Sequence, residues 1–333
     1  MWVAVDTMSG DYGPEPAVHG AVQAVREYGA KVMLVGNPQS IENLLNRFPC
    51  DSSCVEVVPA TEIISMEDSP AQSVRSRPNA SVVVAVKLVK EGRAVGFFSP
   101  GNTGATMAAA LLELGRIKEV ERPAIASPIP RQDGGTTVLI DSGANVDCKP
   151  GWLVQFAIMG ETYAREILGI INPRVALLSN GEESKKGDSL VIEAHQKLAK
   201  LPYNFIGNVE GRDLYGGRRT ADVVVCDGLI GNIVLKATEG LAGSIFNILL
   251  QGIAGSQLAS AGAFLLKPVL QQVKKRMDYT EYGGAPLLGV NGTCIIGHGS
   301  SNATAFKNAV RVVNEFAKKD IGTHIAENIR RFG

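Results

Sequence analysis

Residues 2–35 read WVAVDTMSGDYGPEPAVHGAVQAVREYGAKVMLV. Two short apolar runs, Trp2–Asp6 and Lys31–Val35, bracket a stretch in which Ala17, Ala21, Ala24 and Val25 recur at helical spacing. Strand, helix and strand in that order make the βαβ unit of a parallel sheet. The runs are continuous rather than alternating, as expected of strands covered on both faces. The same rhythm continues down the chain. Ile41–Phe48, Ala80–Glu91, Gly101–Leu114, Leu190–Lys200 and Asn232–Leu250 read as helices, and Ala303–Ile329 is mostly helix. Val55–Pro59, Ala94–Ser99, Thr137–Asp141, Arg174–Asn180, Phe205–Gly207, Val223–Asp227 and Thr293–Gly297 read as strands. No internal repeat or low-complexity linker divides them. The pattern predicts an α/β fold: a three-layer αβα sandwich with a mostly parallel sheet. It spans residues 1–333 as a single domain with an apolar and basic helical insertion at about 240–285.

Composition narrows the function. The 33 basic and 33 acidic side chains balance. Duplex nucleic acid needs several phosphates neutralised at once, and no finger or basic-helix signature is present, so no nucleic-acid partner is expected. Cys50, Cys54, Cys148, Cys226 and Cys294 form an odd, scattered set, which suits reduced thiols in the cytoplasm rather than a disulfide framework. No signal peptide is read at the start, because Asp6 and Asp11 interrupt any apolar run. Between Glu239 and Lys267 no charged side chain occurs, a length that could span a bilayer, but five glycines and several Ser, Asn and Gln residues dilute it.

Six polar, glycine-rich loops follow apolar runs: Asp6–Asp11, Ser99–Gly104, Asp141–Asn145, Asn180–Glu183, Asp227–Asn232 and Gly297–Asn302. In an open α/β sheet the carboxyl ends of strands form the ligand crevice, and the helices that follow aim free N–H groups into it, favouring an anion. Ser99-Pro100-Gly101-Asn102-Thr103-Gly104 is the clearest such loop, although plain N-capping explains it equally well. It lacks the Lys-Ser/Thr ending of a P-loop, and no G-x-G-x-x-G follows the first strand, which disfavours a nucleotide triphosphatase or a Rossmann dehydrogenase. Lys185 and Lys186 could hold a phosphate or sit in a solvated loop; Asn232 could cap its helix or donate to a carbonyl oxygen. His298, between glycines, reads as a ligand contact, a general base or a structural histidine. Asp6, Asp11, Asp141 and Asp227 fit backbone-fixing roles better than a metal site. The apolar residues Leu249, Leu250, Ile253, Leu258, Phe264, Leu265 and Leu266 are followed by Lys267, Lys274, Lys275 and Arg276, which suits an anionic membrane, an acidic protein or a dimerisation hairpin.

Gly10-Asp11-Tyr12-Gly13-Pro14, Ser99–Ala105, Gly181-Glu182-Glu183 with Lys186-Gly187, Asp227-Gly228 with Gly231-Asn232, and Glu281–Gly289 together resemble the PlsX-type acyl carrier protein–phosphate acyltransferases. The resemblance runs from Val3 to about Asn314. It implies a fold related to phosphate acetyltransferases and isopropylmalate dehydrogenases. It also implies transfer of a long-chain fatty acyl group from acyl carrier protein to inorganic phosphate, giving acyl phosphate for phospholipid synthesis. Homodimers, no metal or organic cofactor, and a cytoplasmic enzyme with peripheral contact to an anionic membrane follow from the same likeness. The family's catalytic lysine and asparagine fall on Lys186 and Asn232. Asp6, Ser9, Gly10, Asp11, Gly101, Asn102, Thr103, Gly104, Asn145, Asp227, His298 and Ser300 become candidates for positioning phosphate and thioester, and Lys267, Lys274, Lys275 and Arg276 for docking the carrier protein. The chain departs from the pattern at Ser9, usually glycine, and at Leu229-Ile230, commonly aromatic first. The alternatives are a phosphate acetyltransferase-like enzyme using acyl coenzyme A, a metal- and nicotinamide-dependent decarboxylating dehydrogenase, and a non-catalytic scaffold for membrane or carrier protein.

Overall fold

Val3 and Val5 enter one core while Ala4, between them, enters another, and Val32 and Leu34 against Met33 and Val35 repeat that division one strand away. Strands buried on both faces need a helical layer on each, and the structure supplies both. The structure, a computed structural model, describes the backbone of residues 1–255, 257–277 and 279–333, and the side chains of these apart from 257, 258, 260, 261, 274–277 and 279. The strands are β1 (Trp2–Asp6), β2 (Lys31–Gly36), β3 (Val55–Pro59), β4 (Gly96–Ser99), β5 (Ala124–Pro130), β6 (Thr136–Ile140), β7 (Val175–Leu178), β8 (Phe205–Val209), β9 (Val223–Val225), β10 (Ala285–Leu288) and β11 (Thr293–Ile296). The helices are α1 (Glu15–Tyr28), α2 (Pro38–Arg47), α3 (Pro70–Ser76), α4 (Ser81–Lys90), α5 (Thr103–Glu113), α6 (Pro150–Glu166), α7 (Ser189–Leu198), α8 (Gly228–Ala254), α9 (Gln257–Met277), α10 (Ala303–Lys318) and α11 (Ile321–Phe332).

All the described strands join one sheet in the order β3-β2-β1-β4-β11-β10-β5-β6-β9-β7-β8. Two parallel blocks, β3-β2-β1-β4-β11 and β6-β9-β7-β8, are linked by three antiparallel junctions through β10 and β5. The sheet is therefore mixed but mostly parallel, as expected. Apolar side chains of α1, α6, α7, α10 and α11 join the core on one face, where Phe98 meets Phe306 edge to face at 5.1 Å. Those of α3, α4 and α5 cover the first block on the other face. The second block is covered there by Leu214 and, partly, by Val234 of α8.

Four elements differ from the sequence expectation, the short α3 among them. Pro128 and Pro130 hide β5 from a strand reading, yet it pairs antiparallel with both neighbours. Helix α6 buries every residue from Leu153 to Ala164, so it has no polar stripe to announce it. The short β10 was also unanticipated.

Helix α8 is long and apolar enough to cross a membrane by length and composition, and beyond Gly228 and Gly231 in its first turn it buries no residue. It packs along α9, and Leu241, Ile245, Ile248, Phe264, Leu265 and Leu266 are exposed.

Candidate active site

The loops at the carboxyl ends of the first block hold one another. The Asp6 carboxylate is fully buried and accepts from Ser9 Oγ (2.5 Å), Ser99 Oγ (2.8 Å) and the Met8 amide (3.1 Å). Serine at position 9 is thus accommodated by a carboxylate beneath it. Gly101 lies against it so closely that an added Cβ would fall 2.4 Å from Ser9 Cβ. Gly10 rests beside Pro100, and the Asp11 amide donates to the Gly299 carbonyl at 2.8 Å. Asn102 caps α5, accepting from the Ala105 amide at 3.0 Å, and its own amide donates to the Ser65 and Met66 carbonyls at 3.1 and 3.3 Å. Gly104 gives room for Pro70. His298 Nδ1 accepts from the Ser300 amide at 3.2 Å and lies 2.7 Å from Ser300 Oγ, so a neutral ring carries its proton on Nε2.

In the second block, buried Asp141 organises the loop after β6. Its carboxylate accepts from the amides of Ile125, Gly143, Ala144 and Asn145, at 2.7–3.1 Å, and from Asn145 Nδ2 at 2.8 Å. Burial pushes the Asp141 carboxyl above the ordinary carboxylate range, and those donors work against the rise. Asn145 also donates to the Pro123 carbonyl at 2.7 Å. Asp227 caps α8, accepting from Leu229 and Ile230 at 2.9 and 3.0 Å. Gly228 and Gly231 then let the first turn of α8 lie on the 141–145 loop: a Cβ at Gly231 would fall 1.9 Å from the Asp141 carbonyl oxygen. Asn232 is delivered beside Gly143 by this contact.

A groove of about 350 Å³ opens there, within the usual range for small-molecule sites. Thr103 and His298 reach it from the first block, Asn232, Lys236 and Glu239 from α8, and Ser127 and Ser142 from the junction strands. The two serine hydroxyls are 2.7 Å apart, and Ser142 Oγ donates to the Ile125 carbonyl at 3.1 Å. Thr103, Asn232 and His298 are thus brought together. Ser127, Ser142, Lys236, Glu239 and Tyr282 also line the groove and were not singled out from sequence. Helical spacing carried the signal for two of these, since 232, 236 and 239 share one face of a helix.

Lys186 lines a separate, open cleft of about 600 Å³ with Asn180, Glu182, Glu183, Glu210, Arg212 and Arg219. That cleft lies at the carboxyl ends of β7 and β8, and β7 is the sheet neighbour of β9, which leads into Asn232. The fully buried Asn208 holds the lysine's loop, donating through Nδ2 to the carbonyls of Glu183 (2.9 Å) and Lys186 (3.4 Å). Lys267 is exposed on α9; the side chains of Lys274, Lys275 and Arg276 lie outside the described residues.

Among the described residues, the acids close enough to share a cation are Glu182, Glu210 and Asp213 rather than the four aspartates weighed above. Arg212 already pairs with Glu210 at 2.5 Å and approaches Glu182 at 3.8 Å. Thiol nucleophiles are also disfavoured near the groove: burial pushes Cys148 up to about 11 and Cys226 well above its ordinary value. What remains is hydroxyl, amide, imidazole and ammonium groups around a cavity, with the Glu239 carboxylate beside the ammonium.

Solved structures with this fold include a phosphotransacetylase from Streptococcus pyogenes (TM-score 0.63, 17% identity, covering 96% of this chain and 94% of its own). A 4-hydroxythreonine-4-phosphate dehydrogenase from Klebsiella pneumoniae shares it at TM-score 0.53 and 13% identity, covering 95% and 98%. At such identities the likeness concerns fold alone. The fold is thus the α/β scaffold that the phosphotransacetylase shares. A family model described as a fatty acid synthesis protein matches residues 1–324. A phosphate acyltransferase of Leptospira biflexa is 60% identical over 332 residues, covering 100% of this chain and 98% of its own. Another, of Pelotomaculum thermopropionicum, is 50% identical over 330 residues, covering 99% and 94%. The chain belongs to this family of phosphate acyltransferases.

Proposed function

We propose that the chain transfers a long-chain fatty acyl group from acyl carrier protein to inorganic phosphate, releasing acyl phosphate and the carrier thiol for use in phospholipid synthesis. The observation that carries the reading is Asn232, seated by Gly231 on the Asp141 loop and facing the same groove as Thr103 and His298. A phosphate oxygen attacks the thioester carbon, the carbonyl oxygen takes up negative charge, and the carbon–sulfur bond then breaks. The leaving thiolate takes the proton carried by the acceptor. Phosphate is already a nucleophile near neutral pH, so the protein's task is positioning and stabilising the oxyanion. Asn232 donates to that oxyanion. Lys186, at the carboxyl edge of β7, offsets the charge that the acceptor brings. Asp6, Asp141, Asn102, Asn145 and Asp227 act through the loops they hold.

The hairpin of α8 and α9 extends this reading. Phe264 and Leu265, 75% and 79% exposed and followed by Lys267, suit contact with an anionic membrane surface. The exposed face of α8 suits a second copy of the chain, giving a homodimer. The basic residues from Lys267 to Arg276 suit the acidic carrier. The enzyme is then cytoplasmic and touches the membrane peripherally.

The deciding experiment incubates the enzyme with long-chain acyl carrier protein and inorganic phosphate and identifies the product. Acyl phosphate is expected, with turnover falling about 100-fold or more in Asn232→Ala and in Lys186→Ala. Unchanged turnover in either variant removes that residue from the mechanism, and preference for acetyl coenzyme A would overturn the assignment of donor.

A further inference from the structure

Several backbone donors near the groove are committed inside the protein. Asp141 holds the amides of Gly143, Ala144 and Asn145, Asp227 those of Leu229 and Ile230, and Asn102 that of Ala105. The Ser300 amide donates to His298. Those amides are not free for an anion, which gives weight to the side chains that line the groove. Among the described residues that line it, Lys236 is the one lysine or arginine. It stands one helical turn beyond Asn232, so its ammonium and the Asn232 amide leave the same face of α8. The ammonium donates to Glu239 at 2.8 Å, and that carboxylate lines the groove as well. The lysine is half-exposed, and an exposed i,i+3 pair adds little to stability. Placing a charged pair at the mouth of a substrate groove has a functional consequence instead: an incoming anion competes with Glu239 for the lysine.

We propose that Lys236 is the groove's ligand for the acceptor phosphate, with Glu239 as its internal competitor. This rests on the acyl-phosphate reading and places phosphate beside Asn232; Lys186, which lines the separate cleft, then offsets the acceptor's charge from a distance rather than as its ligand. The cation draws the doubly charged acceptor in, and the amide four residues earlier on the helix receives the thioester oxygen. Lysine and glutamate on one turn also set a threshold. Phosphate binds by displacing the carboxylate, so neutralising Glu239 strengthens phosphate binding and removing Lys236 weakens it.

The test measures KM for phosphate at saturating acyl donor, KM for the donor at saturating phosphate, and binding of inorganic phosphate alone by calorimetry. Lys236→Ala is expected to raise the KM for phosphate about tenfold or more, with the donor KM within twofold. Lys236→Arg should restore most of the affinity, and Glu239→Gln should lower the KM for phosphate below wild type. Far-ultraviolet circular dichroism and thermal melting establish that each variant is folded. An unchanged phosphate KM in folded Lys236→Ala, or a shift in the donor KM instead, overturns the assignment while leaving acyl-phosphate formation intact. If the wild-type enzyme makes no acyl phosphate, the reaction assignment falls. The calorimetric comparison of wild type with Lys236→Ala then decides the phosphate ligand by itself.

Discussion

Asn232 reaches the groove because position 231 has no side chain. An added methyl would overlap the Asp141 carbonyl, a backbone atom fixed by a carboxylate that holds its own loop. Gly231→Ala is therefore expected to push the start of α8 away from residues 141–145. Overpacking of this kind costs about 1–3 kcal/mol, and acyl-phosphate formation should fall much further than stability does. Thermal melting beside turnover checks this; a variant with wild-type turnover would show that the contact does not position Asn232. Much at this scale was legible in advance. Asp227-Gly228 with Gly231-Asn232 stood out as a loop opening a helix, but the cap is Asp227 rather than Asn232, which the sequence offered as a cap and which lies inside α8. Lys236 was not singled out, because a lysine beside a glutamate on a helix reads as a solvated pair until the groove is seen. Asn208 gave no warning either, since nothing in the sequence tells which distant carbonyls a buried amide will meet.

The elements that sequence missed were those whose partners decide them. A strand holding Pro128 and Pro130 contradicts local propensity, and only its place between β10 and β6 explains it. Helix α6 is buried on all sides, Gln155, Glu161 and Thr162 included, because the sheet, α7 and α11 surround it. Loops show a related dependence. Asp68 accepts from Arg77 through both Nη atoms, at 2.6 and 3.1 Å, and from the Ser65 amide at 2.7 Å, in the loop that Asn102 also grips. The Arg77 hydrogen bond first, and the Ser65 donors next, lower the Asp68 carboxyl to about 2. A carboxylate lowered on folding lends its support above its unfolded value, near 4, and withdraws it as pH falls through the folded one. The loop at 65–68 is therefore expected to stay ordered at pH 4 and loosen toward pH 2. The Ser65 amide resonance, followed by NMR, should titrate with a midpoint near 2; a midpoint at 4 would mean that Arg77 does not hold the carboxylate in solution.

For the whole molecule, the αβα class was readable from periodicity, whereas the reversal between two parallel blocks was not. Strand direction at a junction depends on β10 and β5, the two strands the sequence concealed. The exposed hairpin is likewise a property of the assembled protein. Leu265→Glu is expected to reduce co-sedimentation with vesicles containing anionic lipid severalfold, while Ile245→Glu on α8 should shift the protein from dimer toward monomer in analytical ultracentrifugation. Unaltered vesicle binding, or a wild-type protein that is monomeric throughout, would remove the corresponding role from the hairpin. The strand order has one more consequence. β11 is flanked by β4 and β10, and α10 packs on α1, so the block begun by the first residues is closed by nearly the last. During synthesis on the ribosome, β1 to β4 emerge and wait almost two hundred residues for the strand that completes their edge. The second block, continuous from β6 to β9, can settle meanwhile with β5 on its edge. The nascent amino-terminal third thus carries an unpaired β4 edge until residues 293–296 have emerged to cover it.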